Sequence, residues 1–477
     1  MLHITVQKGE NVRQISLNEP CTVKEMLAQC GISFSHPCGG RGICGACRIE
    51  AGGNLSEMTP RERQLGFRLS CQTVLLGDAV ITLPDDSGMR IEGAEDSIPP
   101  CDADVCCAAD IGTTTVAVNL YDGKTGALIG QKSRLNPQSD AASDVIGRIG
   151  AAMNGQGERL QRQISGCLLD LMGDRRIDRL VITGNTAMLY LLTGKNPASL
   201  AAAPFLADCL FDETVDFHGM KAYLPPCMHA FVGADITCAV LKSGMCNAPD
   251  TALLCDIGTN GELALWKGGR LYVTSTAAGP AFEGVGLSCG CQSVPGAVDR
   301  VRVRDGKLSL HTIGGLPPVG FCGSGVIDLC AGLLQLGIID ETGAMEAEKY
   351  AVTDSLFVPR KDIRSIQLAK AALCAGILTL LEETNTNVRD VTAFYVAGGF
   401  GTHLNFDSAA GIGLFPEELG SKLKVLGNAA LAGAAGLMDE QNRALCRDIA
   451  RKACHVTLGG SARFNENYMD CMLFPEA

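Results

Sequence analysis

Apolar and polar positions follow three textures along the chain. At the start, HITVQKG and VRQISLN alternate with a period of two and predict a hairpin turning at Gly9-Glu10-Asn11. Thr22 stands at an N-cap position before a short helix predicted from Val23 to Gln29, which Gly31 ends. Arg48-Ile49-Glu50 reads as a strand, Thr59-Pro60-Arg61-Glu62 as a helical turn with proline at its first position, and Leu75 to Leu83 as a last strand. Residues 85–105 are acidic, aperiodic and carry Pro99-Pro100. They read as a linker, and their second half reads equally as an irregular edge of a neighbouring unit.

From residue 106 apolar strands alternate with helical stretches. CCAADIGTTTVAVNLYDGKTGALIG reads as strand, Gly/Thr turn, strand and hairpin, and ALLCDIGTNGELALWKGGRLYVT repeats that order. Asp110-Ile111-Gly112-Thr113 thus returns as Asp256-Ile257-Gly258-Thr259, a period far beyond the ~20–50 residues of solenoid units. Two duplicated α/β lobes are expected, each burying a mostly apolar sheet under helices. Ala234 to Gly244 is helix-like, and Gln367 to Glu383 predicts a helix. A strand from Thr392 to Val396 follows, leading into Gly398-Gly399-Phe400-Gly401. The expected units are residues 1–84, a linker over 85–105, a first lobe over 106–249 and a second over 250–477.

Composition narrows the classes. Apolar residues at 46% argue against disorder. A net charge of −12 without a basic block predicts neither nucleic-acid nor membrane binding. The start lacks a signal-peptide pattern and no run of ~18 apolar residues occurs, so a cytoplasmic protein without a transmembrane helix is expected. The 23 cysteines are then thiols rather than disulfides, which suggests cluster chemistry or a low-oxygen setting. The other unusual count is 57 glycines.

Part of the cysteine count has a pattern. Cys38-x5-Cys44-x2-Cys47 with a distant Cys71 is one residue longer in its first gap than the plant-type 2Fe-2S spacing. Three thiolates on one loop reach both irons from one side, and Cys71 closes the site. Gly39, Gly40, Gly42 and Gly45 let backbone N–H groups approach the sulfides, with Arg41 and Arg48 as nearby positive charges. Structural zinc takes two short-spaced pairs, and only Cys44-x2-Cys47 is one. Gly40-x-Gly42-x-x-Gly45 lacks the strand–helix context of a dinucleotide fingerprint.

The repeated Asp-Ile-Gly-Thr has its own chemistry. A strand ending in Asp and a Gly-rich turn aims N–H groups at phosphates, while Asp110 and Asp256 hold Mg²⁺ through water. Gly112, Thr113, Thr114 and Thr115 belong to the first turn, and Gly258, Thr259, Asn260 and Gly261 to the second. No P-loop motif occurs. A nucleotide carrying Mg²⁺ is therefore the expected ligand between the lobes.

Residues 1–84 resemble the adrenodoxin-like ferredoxin domain, a β-grasp fold. Residues 106–477 resemble the acetate and sugar kinase, heat-shock chaperone and actin superfamily, with ribonuclease H-like lobes. Asp110 to Thr115 and Asp256 to Glu262 match its phosphate motifs, and Ala397-Gly398-Gly399-Phe400-Gly401 its adenosine motif. Ala234 to Gly244 and Gly427 to Gly433 match its connecting helices. The fold class this implies is α/β plus α+β: a ferredoxin followed by an actin-like ATPase, and the resemblance implies ATP as the nucleotide. More narrowly, Thr183 to Met188, Val232 to Ile236, Ser275 to Gly284 and Cys322 to Gly325 resemble ATP-dependent reductive activators of corrinoid-dependent methyltransferases. Longer members of that family carry an extra region where this chain has only residues 85–105. The resemblance implies electron transfer from the cluster to the Co(II) corrinoid of a partner. A low-potential electron donor is implied too, and a homodimer is allowed. An activator of a radical dehydratase, a small-molecule kinase and a cluster-gated redox sensor are the other readings of the same parts.

The remaining candidates have plain readings. Cys106, Cys107, Cys238, Cys255, Cys330 and Cys374 lie in apolar stretches and read as core. Cys289-x-Cys291 sits in a Gly-rich loop that could see the cleft, and His403 follows the adenosine-type glycines. Glu262 and Glu283 read either as solvated turn residues or as groups that position metal or water.

Overall fold

The computed structural model describes every residue except 9–10, 33, 35–39, 41, 43–46, 84–96, 248–249, 355, 399–403 and 476–477. The first unit contains β1 (Leu2–Lys8), β2 (Asn11–Leu17), β3 (Cys21–Thr22), α1 (Val23–Gln29), β4 (Arg48–Leu55), α2 (Pro60–Leu65), β5 (Arg68–Leu69) and β6 (Val74–Leu83). Its strands run β2-β1-β6-β4-β5, with β3 also pairing β6. The β1–β2 hairpin is antiparallel and β1–β6 parallel, the arrangement of a β-grasp. Ile4, Val6, Met26, Leu27, Leu75 and Ile81 form its core.

Both short helices of this unit start on a capping box, because Thr and Glu stand three residues apart. Thr22 Oγ1 accepts from Glu25 N while Thr22 N donates to Glu25 Oε2 at 2.8 Å. The second box does more. Glu62, with no exposed surface, accepts from Thr59 N and Leu69 N at 2.8 Å each and from Thr73 Oγ1 at 2.9 Å. Burial works against its carboxylate, yet these three hydrogen bonds help hold it below its ordinary range. Glu62 thereby ties α2 to both sides of Cys71.

The second unit contains β7 (Val105–Ile111), β8 (Thr115–Asp122), β9 (Leu128–Leu135), α3 (Val145–Ala151), α4 (Gly157–Met172), β10 (Arg179–Gly184), α5 (Thr186–Thr193), α6 (Ala198–Ala201), β11 (Glu213–Phe217), β12 (Met220–Leu224) and α7 (Ala234–Ser243). Residues 97–104 run beside the β8–β9 turn, where Ile98 N donates to Gly126 O at 2.8 Å and Cys101 N to Gly123 O at 2.7 Å. The third unit contains β13 (Thr251–Ile257), β14 (Gly261–Lys267), β15 (Arg270–Thr276), β16 (Ala297–Arg304), β17 (Lys307–Thr312), β18 (Gly320–Phe321), α8 (Gly323–Gln335), β19 (Lys349–Ala351), β20 (Phe357–Pro359), α9 (Arg360–Glu383), β21 (Val391–Ala397), α10 (Phe406–Gly411), β22 (Leu423–Gly427), α11 (Ala429–Gly436), α12 (Glu440–Lys452), β23 (Ala453–His455) and α13 (Ala462–Asp470).

The duplication read from the sequence is a duplication of topology. One sheet runs β11-β12-β10-β7-β8-β9 and the other β22-β21-β13-β14-β15-β23. In each, the Asp-bearing strand (β7 or β13) is central, an antiparallel meander lies on one side and two parallel strands on the other. The lobes meet through α7 and α11. A Cβ at Gly433 of α11 would collide with the Cys238 carbonyl of α7, so glycine is what permits this approach.

Two elements depart from their predicted extents. Helix α9 begins at Arg360, earlier than the apolar period indicates, because buried Asp362 in its first turn accepts from Ser288 N at 2.7 Å and Cys289 N at 3.3 Å. This helix is long and apolar enough to cross a membrane, but 78% of its most apolar window is buried inside the protein, so it is a core helix. Strand β4 continues past Glu50 through Gly52-Gly53, which pair with Val80 and Ala79 of β6.

The lobes also touch through a histidine pair. His229, in the loop before α7, stacks on His455 of β23 with ring centroids 3.6 Å apart and planes 5° from parallel. Burial first, and His229 second, bring His455 down to about 4, and burial lowers His229. A depressed folded-state value means stability that is present above the unfolded value of ~6.5 and lost as pH falls toward 4. Two outcomes are expected. Between pH 7 and pH 5 the Tm of the wild type falls more than that of His455→Asn, by on the order of 2 °C. Glu62→Ala costs about 2–4 kcal/mol by stranding buried donors, measured by denaturant unfolding, and lowers iron content; unchanged stability would remove Glu62 from this role.

Candidate functional site

The two Asp-Ile-Gly-Thr turns come together at the bottom of one cleft between the lobes. Its walls carry Asp110, Gly112, Thr113, Thr114, Thr115, Asp256, Gly258, Thr259, Asn260 and Gly398 from the sequence-predicted set. Gly261 starts β14 at the edge of the same turn. Gly399, Phe400, Gly401 and His403 lie outside the described residues. Gly398, at φ 121°, has no room for a Cβ against the Ile257 carbonyl, so this first glycine of the motif lies directly on the end of β13.

The first turn is held from behind by side chains that the sequence analysis did not single out. Asn136 Nδ2 donates to Gly112 O at 2.8 Å and Arg148 Nη2 to Thr113 O at 2.6 Å. Asn185, the N-cap of α5, donates to Thr113 Oγ1 at 3.1 Å. With its carbonyls engaged by the interior, the turn keeps the polarity that an anion cradle needs. In the second turn Gly258 N donates to Asn260 O at 3.0 Å, and Gly279 N donates to Thr259 O at 2.8 Å.

The turns also meet each other. Thr114 Oγ1 and Thr259 Oγ1 are 3.1 Å apart, and both donate to Glu283 Oε2, at 2.9 and 2.6 Å. Glu262 is buried at the cleft wall, opposite Asp256 in the β13–β14 register. Neither glutamate is a solvated turn residue; both face the cleft.

Five carboxylates therefore share this cleft: Asp110, Asp235, Asp256, Glu262 and Glu283. Burial, then Asp235 and Asp256, push Asp110 up to about 8, against a hydrogen bond from Asn428 Nδ2 at 3.3 Å. Burial, Asp235 and Glu283 push Asp256 up to about 7, and burial pushes Asp235 up to about 6. Burial raises Glu262 and Glu283 as well, with the Thr259 and Thr114 hydroxyls and Arg148 pulling Glu283 back. Arg148 has no exposed surface and is itself brought down to about 10 by burial. Such a set favours a ligand that brings a cation. Among the described residues no three carboxylates, thiols or imidazoles converge tightly enough to hold a metal alone. That fits Mg²⁺ carried on phosphate and reached through water.

Asp235 belongs to this set and was missed as a site residue. It stands in the first turn of α7, beside the second motif, and that placement was the available signal. Asn428, N-cap of α11, is the equivalent from the other lobe.

Of the four predicted cluster ligands, Cys38 and Cys44 lie outside the described residues. Cys47 and Cys71 come together as buried thiols, with Sγ atoms 3.2 Å apart and residues 1% and 7% exposed, and no disulfide joins them. The Cys71 thiol first and burial second push the Cys47 thiol well above its ordinary range. Gly40 and Gly42 have φ of 87° and 73°, a backbone that a tight loop over a cluster uses. The donor set fits a 2Fe-2S centre. Arg48 stacks over Phe67 at 4.8 Å. Cys106, Cys107, Cys238, Cys255, Cys330 and Cys374 are buried, as a core reading requires. In the Cys289-x-Cys291 loop it is the next residues, Gln292 and Ser293, that line the cleft.

These parts define a 2Fe-2S ferredoxin joined to an actin-type ATPase. Three family models match accordingly: 2Fe-2S iron-sulfur cluster binding domain over residues 7–76, RACo middle region over 105–248, and C-terminal domain of RACo, the ASKHA domain, over 250–477. The stretch described as the middle region is the β7–α7 lobe. The chain is 32% identical over 419 residues to the corrinoid activation enzyme RamQ of Eubacterium limosum, covering 77% of this chain and 70% of that protein. It is 28% identical over 337 residues to the Co(II) methylated amine-specific corrinoid protein reductase of Methanosarcina barkeri, covering 62% of each. A solved structure of a reductive activator for corrinoid, iron-sulfur protein superposes with a TM-score of 0.73 at 25% identity, covering 100% of this chain and 98% of that one. The chain belongs to the RACo family of reductive activators of corrinoid proteins.

The carboxylate cluster generates a paired expectation. A raised folded-state value means stability that is fully present below the unfolded value of ~3.9 and is lost as pH rises from there to the folded values of about 7 and 8. Asp110→Asn removes one enclosed charge. It should raise the Tm of the nucleotide-free protein, increasingly so toward pH 8, while lowering ATP hydrolysis by ~10²-fold or more. Thermal scans with and without Mg-ATP, beside a phosphate-release assay, measure both; a Tm that falls together with activity refutes this account of the site.

Proposed function

We propose that this protein is an ATP-dependent reductive activator that passes one electron to the Co(II) corrinoid of a methyltransferase partner and so returns it to Co(I). The observation that carries the reading is one chain holding both a buried pair of converging thiols and a carboxylate-lined cleft that closes two phosphate turns on each other. Cys38, Cys44, Cys47 and Cys71 are the proposed ligands of a 2Fe-2S centre, which supplies a one-electron carrier when bound. The proposed division of the chain is a ferredoxin unit over 1–84, a linker over 85–105 whose second half is an edge of the first lobe, and ATPase lobes over 106–249 and 250–477.

In this reading Asp110 and Asp256 organise Mg²⁺ and the attacking water. Gly112 to Thr115, Gly258 to Gly261 and Gly398 to Gly401 hold phosphate and adenosine. Glu283, which joins Thr114 to Thr259, meets any phosphate that enters, so nucleotide binding and the contact between lobes are mutually dependent. Hinge closure is how such a fold converts nucleotide binding into work. The work is needed because an acceptor 100 mV below its donor costs about 2.3 kcal/mol per electron. A low-potential donor supplies the electron, and ATP hydrolysis to ADP and phosphate accompanies the cycle. A cytoplasmic location and a homodimer complete the proposal.

Anaerobic spectroscopy at cobalt wavelengths tests it. With reductant, Mg-ATP and wild-type protein, a Co(II) corrinoid protein should become Co(I). Asp256→Asn should slow this by ~10²-fold, and Cys71→Ser should abolish it together with the cluster spectrum. Cobalt that stays Co(II) while ATP is consumed, or a phosphorylated small product, sinks the reading.

A further inference from the structure

The chain is acidic overall, yet one surface is predominantly basic. In β16 the sequence Arg300-Val301-Arg302-Val303-Arg304 alternates, and the β16–β17 register sets Arg300 opposite His311, Arg302 opposite Ser309 and Arg304 opposite Lys307. Directly opposed residues share a face. All six are exposed, whereas Val301, Leu308 and Leu310 on the other face pack into the core of the lobe. The hairpin is fixed in place. The register shifts between Val298 and Arg300, and buried Asp328 of α8 accepts from Val301 N at 3.1 Å. Asp299 takes His311 Nδ1 at 2.6 Å. Arg300, Arg302, Arg304 and Lys307 have no carboxylate partner among the described residues, and the turn adds only Asp305. Adjacent Leu316 and Val319, 51% and 36% exposed in the β17–β18 loop, give the patch an apolar rim.

The position of this face matters as much as its charge. β16 pairs with β18, and Phe321 of β18 bridges Gly290, just before the Gln292 and Ser293 that line the nucleotide cleft. Cys291, between them, is pushed up to about 12 by burial and by Cys322, against the positive charge of Arg48. Arg48 follows Cys47 in the chain. The basic sheet thus reaches, through two strands, the wall of the nucleotide cleft.

We propose that the outer face of the β16–β17 hairpin, built by Arg300, Arg302, Arg304 and Lys307, is the docking surface for an acidic face of the electron-accepting corrinoid protein. The proposal rests on the reading above that such a protein is the acceptor. A molecule of net charge −12 repels an acidic partner on average. A local ladder of unpaired cations with an apolar rim reverses that and orients the encounter, as in electrostatically steered association. Nucleic acid is the less favoured occupant, because the rest of the surface opposes a long polyanion.

The test uses the full-length holoprotein and the triple variant Arg300→Ser/Arg302→Ser/Arg304→Ser. Expected results are a fall of ~10-fold or more in kcat/KM for reduction of the Co(II) corrinoid protein at low ionic strength and a flattened salt dependence. The cluster spectrum and partner-free ATP hydrolysis should be unchanged. Arg302→Gln, a milder change, should give an intermediate loss and guards against misfolding of the triple. Wild-type rates and salt slope in both variants overturn the proposal. So does a duplex DNA that binds the wild type more tightly than the corrinoid protein in ~0.15 M salt, or a shift of the triple from dimer to monomer in sedimentation, which would make the face a self-interface. Wild-type protein that reduces no corrinoid protein defeats the functional reading instead. Labelled poly-L-glutamate then serves as the probe, and equal binding by wild type and triple overturns the surface itself.

Discussion

Negative charge enclosed between two lobes is the constraint on which this molecule depends. Each lobe ends its central strand in an aspartate, and folding brings those aspartates together with Asp235, Glu262 and Glu283 where water is scarce. One buried arginine opposes them, and it is occupied with the carbonyl of Thr113. Enclosed carboxylates of one sign resist ionisation together, so the nucleotide-free cleft holds free energy that a cation-bearing ligand releases. A stabler arrangement with fewer acids would not have that differential.

The same constraint explains why the glycines and asparagines lie where they do. Gly433 lets the connecting helices approach, Asn428 reaches across to Asp110, and Gly398 packs against the Ile257 carbonyl of the neighbouring strand. Each brings polar backbone or a carboxamide close to charge without adding bulk. The thiols of the first unit obey a parallel rule. Cys47 and Cys71 are buried beside each other, and that neighbour together with burial raises the Cys47 thiol.

Much of this was legible in local sequence. The helix starts at Thr22 and Thr59 and the left-handed Gly31 that ends α1 are chemistry within a few residues, and they lie where the pattern predicts. The repeated Asp-Ile-Gly-Thr announced two like lobes, because strand, turn and strand are contiguous. Arg148, Asn136 and Asn185 were not legible as supports of the first turn. They come from separate loops and helices, and only the fold aims them at Gly112 and Thr113. The basic ladder was hidden because its arginines alternate with valines, which breaks the charge run that marks a basic segment.

By itself, then, the sequence determined which strands, caps and turns form and which thiol spacing suits an iron–sulfur cluster, since each of these rests on neighbours a few residues apart. Tertiary structure alone decided which carboxylates face one another, and that Glu283 joins Thr114 to Thr259. It also decided that alternate arginines share an unpaired face. Those are interactions across long loops, where distance in space, not distance in sequence, sets the energy.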